Sequence, residues 1–209
     1  MAFKYSCFIS YRHGKGRLLK RIAFELEEAL SSELEAVTEL PLYIDKTIEG
    51  GDLYNPILAT ALCESVCMIV AYTSIYFSST NTYCAREYKA MEKLEAERLG
   101  LLGLPADTTH GLIIPVVFRG AEDLPKELKS KRHYYNFGNF LLRNPSRKLG
   151  DQYPEEISQM AQYIANRCKI VEQLPSQQLS DCANFALPTS DEVINWVRTV
   201  EDKGIPFPV

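Results

Sequence analysis

The chain has 209 residues, 46% of them hydrophobic and 24% charged, the balance of an ordinary globular domain large enough to bury a core. A net charge of −4 argues against a nucleic-acid module, since phosphate binding usually shows as a basic domain or stripe. The longest apolar run, "VCMIVAYT", is far short of the roughly 20 residues that a membrane-spanning helix needs, so neither a nucleic-acid nor a membrane partner is expected.

The first strand is expected at "YSCFIS" (5–10), with no long apolar stretch around it that would read as a signal peptide. From Arg17 to Leu34, Leu19, Ile22, Leu26, Ala29 and Leu30 recur at the helical period, which predicts a crossover helix. "LPLYID" (40–45) is the second strand, and "KTIEGGDLYN" a loop leading to a short helix that opens near Pro56. The third strand, "VCMIVAYT" (66–73), is apolar throughout and should be buried on both faces. "SSTNTYCAREYKAMEKLEAE" (78–97) starts with small hydroxyl and amide residues and becomes a helix. "LIIPVVF" (112–118) is the fourth strand, "KELKSKRH" (126–133) a solvated basic loop, and "HYYNF" a short edge strand or a short helix. "PEEISQMAQYIANRCKIVEQL" (154–174) is amphipathic, with proline and two glutamates in its first turn.

Strands alternating with helices imply an α/β, flavodoxin-like three-layer fold with a parallel sheet of four to five strands. The core domain is expected at 1–174. A C-terminal extension, 175–209, holds one helix capped by Thr189 or Ser190 and either docks or leads into a further module. The six cysteines have no paired metal spacing, so no metal site is expected and the bland reading is buried, reduced thiols in a cytosolic protein.

Ligands of an open parallel sheet bind beyond the carboxyl ends of its strands. The three segments "SYRHGKGR", "DKTIEGGD" and "YTSIYFSS" should therefore converge on one cleft. A dinucleotide fingerprint needs a third glycine that "HGKGRLL" lacks, and a phosphate-binding P-loop is absent. A phospho-receiver site needs acidic residues where Ser10, Tyr11 and Arg12 stand. Glu87 is the feature that calls for an explanation. At about 100° per residue it falls among Tyr83, Cys84, Tyr88, Met91 and Leu94, while Lys89, Glu92, Lys93 and Ala96 point elsewhere. An unpartnered carboxylate on an apolar arc is strongly unfavourable, which leaves two readings: an ion pair with Arg12 or Arg86, or an acid of raised proton affinity facing a cavity.

"FISYRH", the run from "YIDKTIEGGD" through "YCAREY", and "IIPVVF" together resemble a TIR (Toll/interleukin-1 receptor) domain over roughly residues 3–172. The resemblance implies the same flavodoxin-like sheet. It also implies cleavage of NAD+ at the nicotinamide glycosidic bond by a glutamate in a W-C-x-x-E-like motif. That motif reads "YCARE" here, with Glu87 as the catalytic acid and Tyr83 where the family often has tryptophan. NAD+ is then the substrate and no cofactor is implied. Ser10, Tyr11, Arg12, Asp45, Ser74, Tyr76, Tyr83 and Cys84 are the implied substrate-binding positions, with Arg12 a candidate for the diphosphate. Alternatives stay open for several of them: Arg12 as a partner of Asp45, Gly50 and Gly51 as a plain turn, Ser74 and Tyr76 as cap or core residues. His13, His110 and His133 read as surface or loop residues.

The expectation is an NAD+ glycohydrolase or ADP-ribosyl cyclase of bacterial antiphage immunity, acting in the cytoplasm and switched on by self-association with other TIR domains, with a sensor or effector of the same system as a further partner. The alternative is a non-catalytic TIR scaffold.

Overall fold

The computed structural model describes residues 3–14, 17–45, 54–103, 111–140, 147–175 and 179–201. Five strands form one parallel sheet: β1 (Tyr5–Tyr11), β2 (Leu42–Ile44), β3 (Ser65–Tyr72), β4 (Ile113–Val117) and β5 (Tyr135–Asn136), in the order β2-β1-β3-β4-β5. This is the flavodoxin-like arrangement. The central strand β3 is apolar after Ser65, as suits a strand covered on both faces, and all eight of its residues are buried. "HYYNF" resolves as an edge strand paired to β4, with Val116 opposite Tyr135.

The strand order reverses direction at β1. With right-handed crossovers, this places the helix after β1 on one face and the helices after β2 and β3 on the other. Accordingly α1 (Arg17–Leu34) packs with α5 (Leu149–Gln152) and α6 (Pro154–Val171), while α2 (Tyr54–Cys63) packs with α3 (Tyr83–Leu101). A final helix, α7 (Ser190–Glu201), lies against α3. Its start is a capping box: the Thr189 N–H donates to Glu192 Oε2 at 2.6 Å, and the Glu192 N–H points back to Thr189 Oγ1 at 3.4 Å.

Three sequence expectations are corrected. "KELKSKRH" is not a plain solvated loop: Lys126–Lys131 form a short helix, α4, and Arg132 turns inward. It makes two hydrogen bonds to Glu95, at 2.8 and 2.5 Å, and that carboxylate also receives the Leu112 and Ile113 N–H groups at the start of β4. Burial disfavours the Arg132 charge, but Glu95 outweighs it and holds the guanidinium above its ordinary value. Second, the buried arc of α3 contains Cys84, Glu87, Tyr88, Met91 and Leu94 as expected, but Tyr83 is 41% exposed and the arc widens to take in Glu95 and Arg98. Arg98 reaches across to the carbonyls of Cys63 and Ser65, both at 2.7 Å, so it satisfies the backbone where α2 ends and β3 begins.

Third, the cysteines are not all reduced thiols. Cys63 and Cys182 form a disulfide, their Cα atoms 5.4 Å apart and 119 positions apart in sequence. Spacing gave no sign of it, because a pair that far apart meets only when the C-terminal segment lies across α2. Cys7, Cys67, Cys84 and Cys168 are free and buried.

Candidate functional site

The carboxyl ends of β1 and β3 are neighbours at the point where the strand order reverses, the place in such sheets where a crevice opens. Ser10 is the penultimate residue of β1. Its hydroxyl donates to Glu87 Oε2 at 2.5 Å and lies 2.5 Å from the Tyr76 hydroxyl. Since Ser10 has one proton and gives it to Glu87, Tyr76 is the donor to Ser10 while Glu87 is ionised. The result is a directed line, Tyr76 to Ser10 to Glu87, joining β1, the loop after β3 and the first turns of α3.

Glu87 is only 6% exposed. Burial raises its proton affinity most, Ser10 opposes that by stabilising the anion, Asp45 raises it again and Arg86 lowers it; the net effect is a pKa of about 7. Of the two readings of Glu87, the buried ion pair is not what dominates: its direct hydrogen-bond donor is Ser10. Arg86 contributes at longer range while its Nε donates to the Pro188 carbonyl at 2.5 Å. The Tyr76 hydroxyl, fully buried, is held far above its ordinary value by desolvation and by the charge of Glu87.

Tyr11, at the end of β1, donates its hydroxyl to the Asp45 carbonyl at 3.0 Å. Its ring stacks on His13 at 4.4 Å, and His13 Nε2 lies 3.7 Å from Asp45 Oδ2. Burial lowers the proton affinity of His13 more than Asp45 raises it. Arg12 donates to the Asn81 carbonyl at 3.4 Å, which links the β1 end to the loop preceding α3. Cys84, one turn before Glu87, is buried, and both desolvation and the Glu87 charge push its thiol up. It therefore packs and does not act as a nucleophile.

Two predicted residues lie apart from this cluster. Ser74 sits over Gly120, whose φ of 72° is the left-handed region and whose added Cβ would stand 2.2 Å from Ser74 Oγ. Tyr83 faces outward, with the Arg86 guanidinium 5.3 Å from its ring centre. Lys46, Gly50, Gly51 and His110 fall outside the described residues. His13, expected as a surface or loop residue, stands beside Tyr11 and Asp45, and Asn81 and Phe77 join the neighbourhood without having been singled out in the sequence. Only the "SIYFSS" aromatics carried any signal for Phe77.

A nearly dry carboxylate that titrates near neutrality, held in place by a hydroxyl pair, can stabilise a developing cation or move a proton. Among the described residues, no group of three or more His, Cys, Asp or Glu side chains is arranged to hold a metal ion. None of the described helices is long and apolar enough to cross a membrane.

No protein-family model matches the chain, and no curated protein does. Among solved structures it is similar to the TIR domains of "Structure of the activated Roq1 resistosome directly recognizing the pathogen effector XopQ". Identity is 17% over 79% of this chain and 84% of that one, with a TM-score of 0.37, a likeness that defines no residue-by-residue correspondence.

Proposed function

We propose that this chain is a TIR-type NAD+ glycohydrolase or ADP-ribosyl cyclase with Glu87 as its catalytic carboxylate. The observation that carries the reading is the buried Glu87, poised near neutral pH at the switch point of the sheet and held by Ser10 and Tyr76. Nicotinamide in NAD+ is already a cationic leaving group and needs no general acid. What the reaction requires is a fixed negative charge beside an oxocarbenium-like ribose, in a site poor in water. A cationic substrate also favours the ionised form of Glu87, so binding itself drives the carboxyl to the state it needs.

In this proposal the ribose hydroxyls displace Ser10 as the donors to Glu87, and Ser10 and Tyr76 close behind them. Arg12 meets the diphosphate, while Tyr11 and Asp45 line the β2 side. Water attack gives ADP-ribose; attack by an adenine nitrogen gives a cyclic isomer. The same resemblance supports self-association with other TIR domains, a sensor or effector partner in bacterial antiphage defence, and a cytoplasmic location where NAD+ is available. The Cys63–Cys182 bond pulls against that location, since stable disulfides are rare in reducing compartments.

The test is nicotinamide release from NAD+ by the purified chain, with the second product identified by chromatography and mass. Release is expected from the native chain and not from Glu87→Gln; equal release by both removes Glu87 from the mechanism. One observation favours a second reading, a non-catalytic scaffold: Glu87 is already hydrogen-bonded and almost closed to solvent, so it is tolerable as a structural group. Oligomers at high protein concentration with a crowding agent, and no nicotinamide from NAD+, select that reading.

A further inference from the structure

Residues 179–201 are tied to the elements that carry the Glu87 site. At one end stands the Cys63–Cys182 disulfide, reinforced by Thr60 Oγ1 donating to the Cys182 carbonyl at 3.3 Å. The Ser180 N–H and hydroxyl both donate to Glu97 on α3, at 2.8 and 2.6 Å. Further along, the Pro188 carbonyl takes Arg86 Nε, and Ser190 Oγ lies 2.9 Å from Thr82 Oγ1 at the N-cap of α3. At the other end, Glu201 accepts the Ser79 N–H at 2.7 Å.

Trp196, the sole tryptophan, stands near the middle of α7. Its ring stacks on Tyr88 at 5.5 Å with an interplanar angle of 8°, and meets Phe77 edge-on at 4.9 Å. Phe77 in turn meets Tyr76 edge-on at 4.8 Å. An unbroken line of contacts therefore runs from Trp196 through Phe77 to Tyr76, and on through Ser10 to Glu87. Both sequence neighbours of Glu87 are gripped as well, Arg86 by Pro188 and Tyr88 by Trp196.

Resting on the NAD+-cleaving reading for its catalytic consequence, we infer that residues 179–201 are a strap that sets the geometry of the Glu87 site, with Trp196 as its positioning residue acting through Phe77 on Tyr76, and Cys63–Cys182 as its covalent anchor. Trp196 touches none of the reacting atoms. Its large, rigid ring fixes the rotamers of Phe77 and Tyr88 at little entropic cost, and so holds Tyr76 within hydrogen-bond reach of Ser10. The loop before α3 is held from within by the Ser78–Asn81 bridge and the Ser78–Thr80 hydroxyl contact, and from β1 by Arg12 on the Asn81 carbonyl; the strap adds Ser190 on Thr82 and Glu201 on the Ser79 N–H. The titratable or charged groups bearing on Glu87 include Tyr11, Tyr43, Asp45, Tyr76, Cys84 and Arg86, and two of these, Tyr76 and Arg86, are held by the strap.

The experiment uses the full chain with Trp196→Ala and the conservative Trp196→Phe. The first readout is the titration midpoint of the Glu87 side-chain carboxyl by carbon-13 NMR, which needs no turnover. Trp196→Ala is expected to lower that midpoint by about a pH unit, as water reaches the carboxylate, with Trp196→Phe close to the native value. The second readout is nicotinamide release: kcat falls about tenfold or more in Trp196→Ala with KM changed less than about threefold, and Trp196→Phe restores it. Should Trp196→Ala not fold, Trp196→Met replaces it, keeping apolar bulk without the stacking plane, and the same results are expected. A native chain that releases no nicotinamide removes the NAD+-cleaving reading but leaves the NMR test of the strap intact. An unchanged Glu87 midpoint in the folded Ala or Met variant overturns the strap, whatever the activity.

Discussion

Ser10 and Glu87 are 77 positions apart in sequence, yet the Ser10 hydroxyl donates to Glu87 Oε2 at 2.5 Å inside the protein. Ser10 is buried and Glu87 nearly so, and the carboxylate depends on the Ser10 hydroxyl, which is shared between Glu87 and Tyr76. Ser10→Ala leaves Tyr76 without its acceptor and Glu87 without its donor. A loss of about 1–3 kcal/mol in denaturant unfolding is expected. The Glu87 titration midpoint should rise above about 7, because the removed hydrogen bond is the one that favours the anion. A midpoint that stays or falls shows that Ser10 does not stabilise the charge.

The raised proton affinity of Glu87 has a cost in stability whose sign can be worked out. The unfolded chain releases this proton near pH 4.5 and the folded chain near 7. Below 4.5 both states hold the proton and the residue contributes no difference. Between the two values the unfolded state alone ionises, so stability falls as pH rises, and above about 7 the full penalty of on the order of 3 kcal/mol applies. Glu87→Gln keeps an acceptor for Ser10 and removes the charge. It is expected to raise thermal stability at pH 8 and to leave it almost unchanged at pH 4. Equal gains at both pH values exclude burial of the anion as the cause.

If the ionised carboxylate performs the chemistry, nicotinamide release follows its deprotonation. The rate at subsaturating NAD+ should climb with pH through about 7. At pH 5 it should stand about a hundredfold below the plateau. A flat profile across this range, in a chain that does turn over NAD+, assigns the role to another group.

The Cys63–Cys182 bond closes a loop across 119 positions. A crosslink of that span restricts the unfolded chain enough to contribute about 4 to 5 kcal/mol in the loop-entropy treatment. Reduction with a thiol reagent, or replacement of both cysteines by serine, is expected to lower the melting temperature markedly. Cys84 should resist alkylation in the folded chain, since its thiol is buried and disfavoured as thiolate by the charge of Glu87. A melting temperature insensitive to reduction rules out the crosslink as a stabilising element.

Gly120 holds a φ of 72° directly beneath Ser74. Gly120→Ala meets both an unfavourable backbone conformation and the Ser74 hydroxyl, and should cost about 1–2 kcal/mol from the backbone alone. Adding Ser74→Ala removes the hydroxyl at 2.2 Å but leaves the Cβ of residue 74 at 3.0 Å, Asp123 Oδ2 at 3.1 Å and the backbone strain, so the double variant should recover only part of the loss. Full recovery would show that the backbone conformation at Gly120 is relaxed on substitution.

Much of the framework is legible in local pattern. The unbroken apolarity of "VCMIVAYT" corresponds to β3, the helical period of residues 17–34 to α1, and proline with two glutamates to the first turn of α6. These are short-range properties: a two-residue or 3.6-residue period, a cap, a proline that breaks or starts a helix. The same period also marked Glu87 as a carboxylate on a buried face, though it misplaced Tyr83, which is the first residue of α3 and is exposed at the helix end.

Partnership across the fold is another matter. Nothing in the spacing of residues distinguished Ser10 from Arg12 or Arg86 as the neighbour of Glu87, because the choice depends on the register of β1 against β3 and the angle at which α3 leaves the sheet. The Cys63–Cys182 bond, the hold of Pro188 on Arg86 and the line of rings from Trp196 to Tyr76 likewise come from the path of the C-terminal segment over α2 and α3. Chain order thus sufficed for the sheet and its long helices, though not for the short helices α4 and α5, and for an acid in an unusual place. The surroundings that set the proton affinity of that acid exist only once segments as far apart as Ser10 and Glu87, 77 positions, are packed together, since desolvation and hydrogen bonding act through space and carry no trace in local sequence.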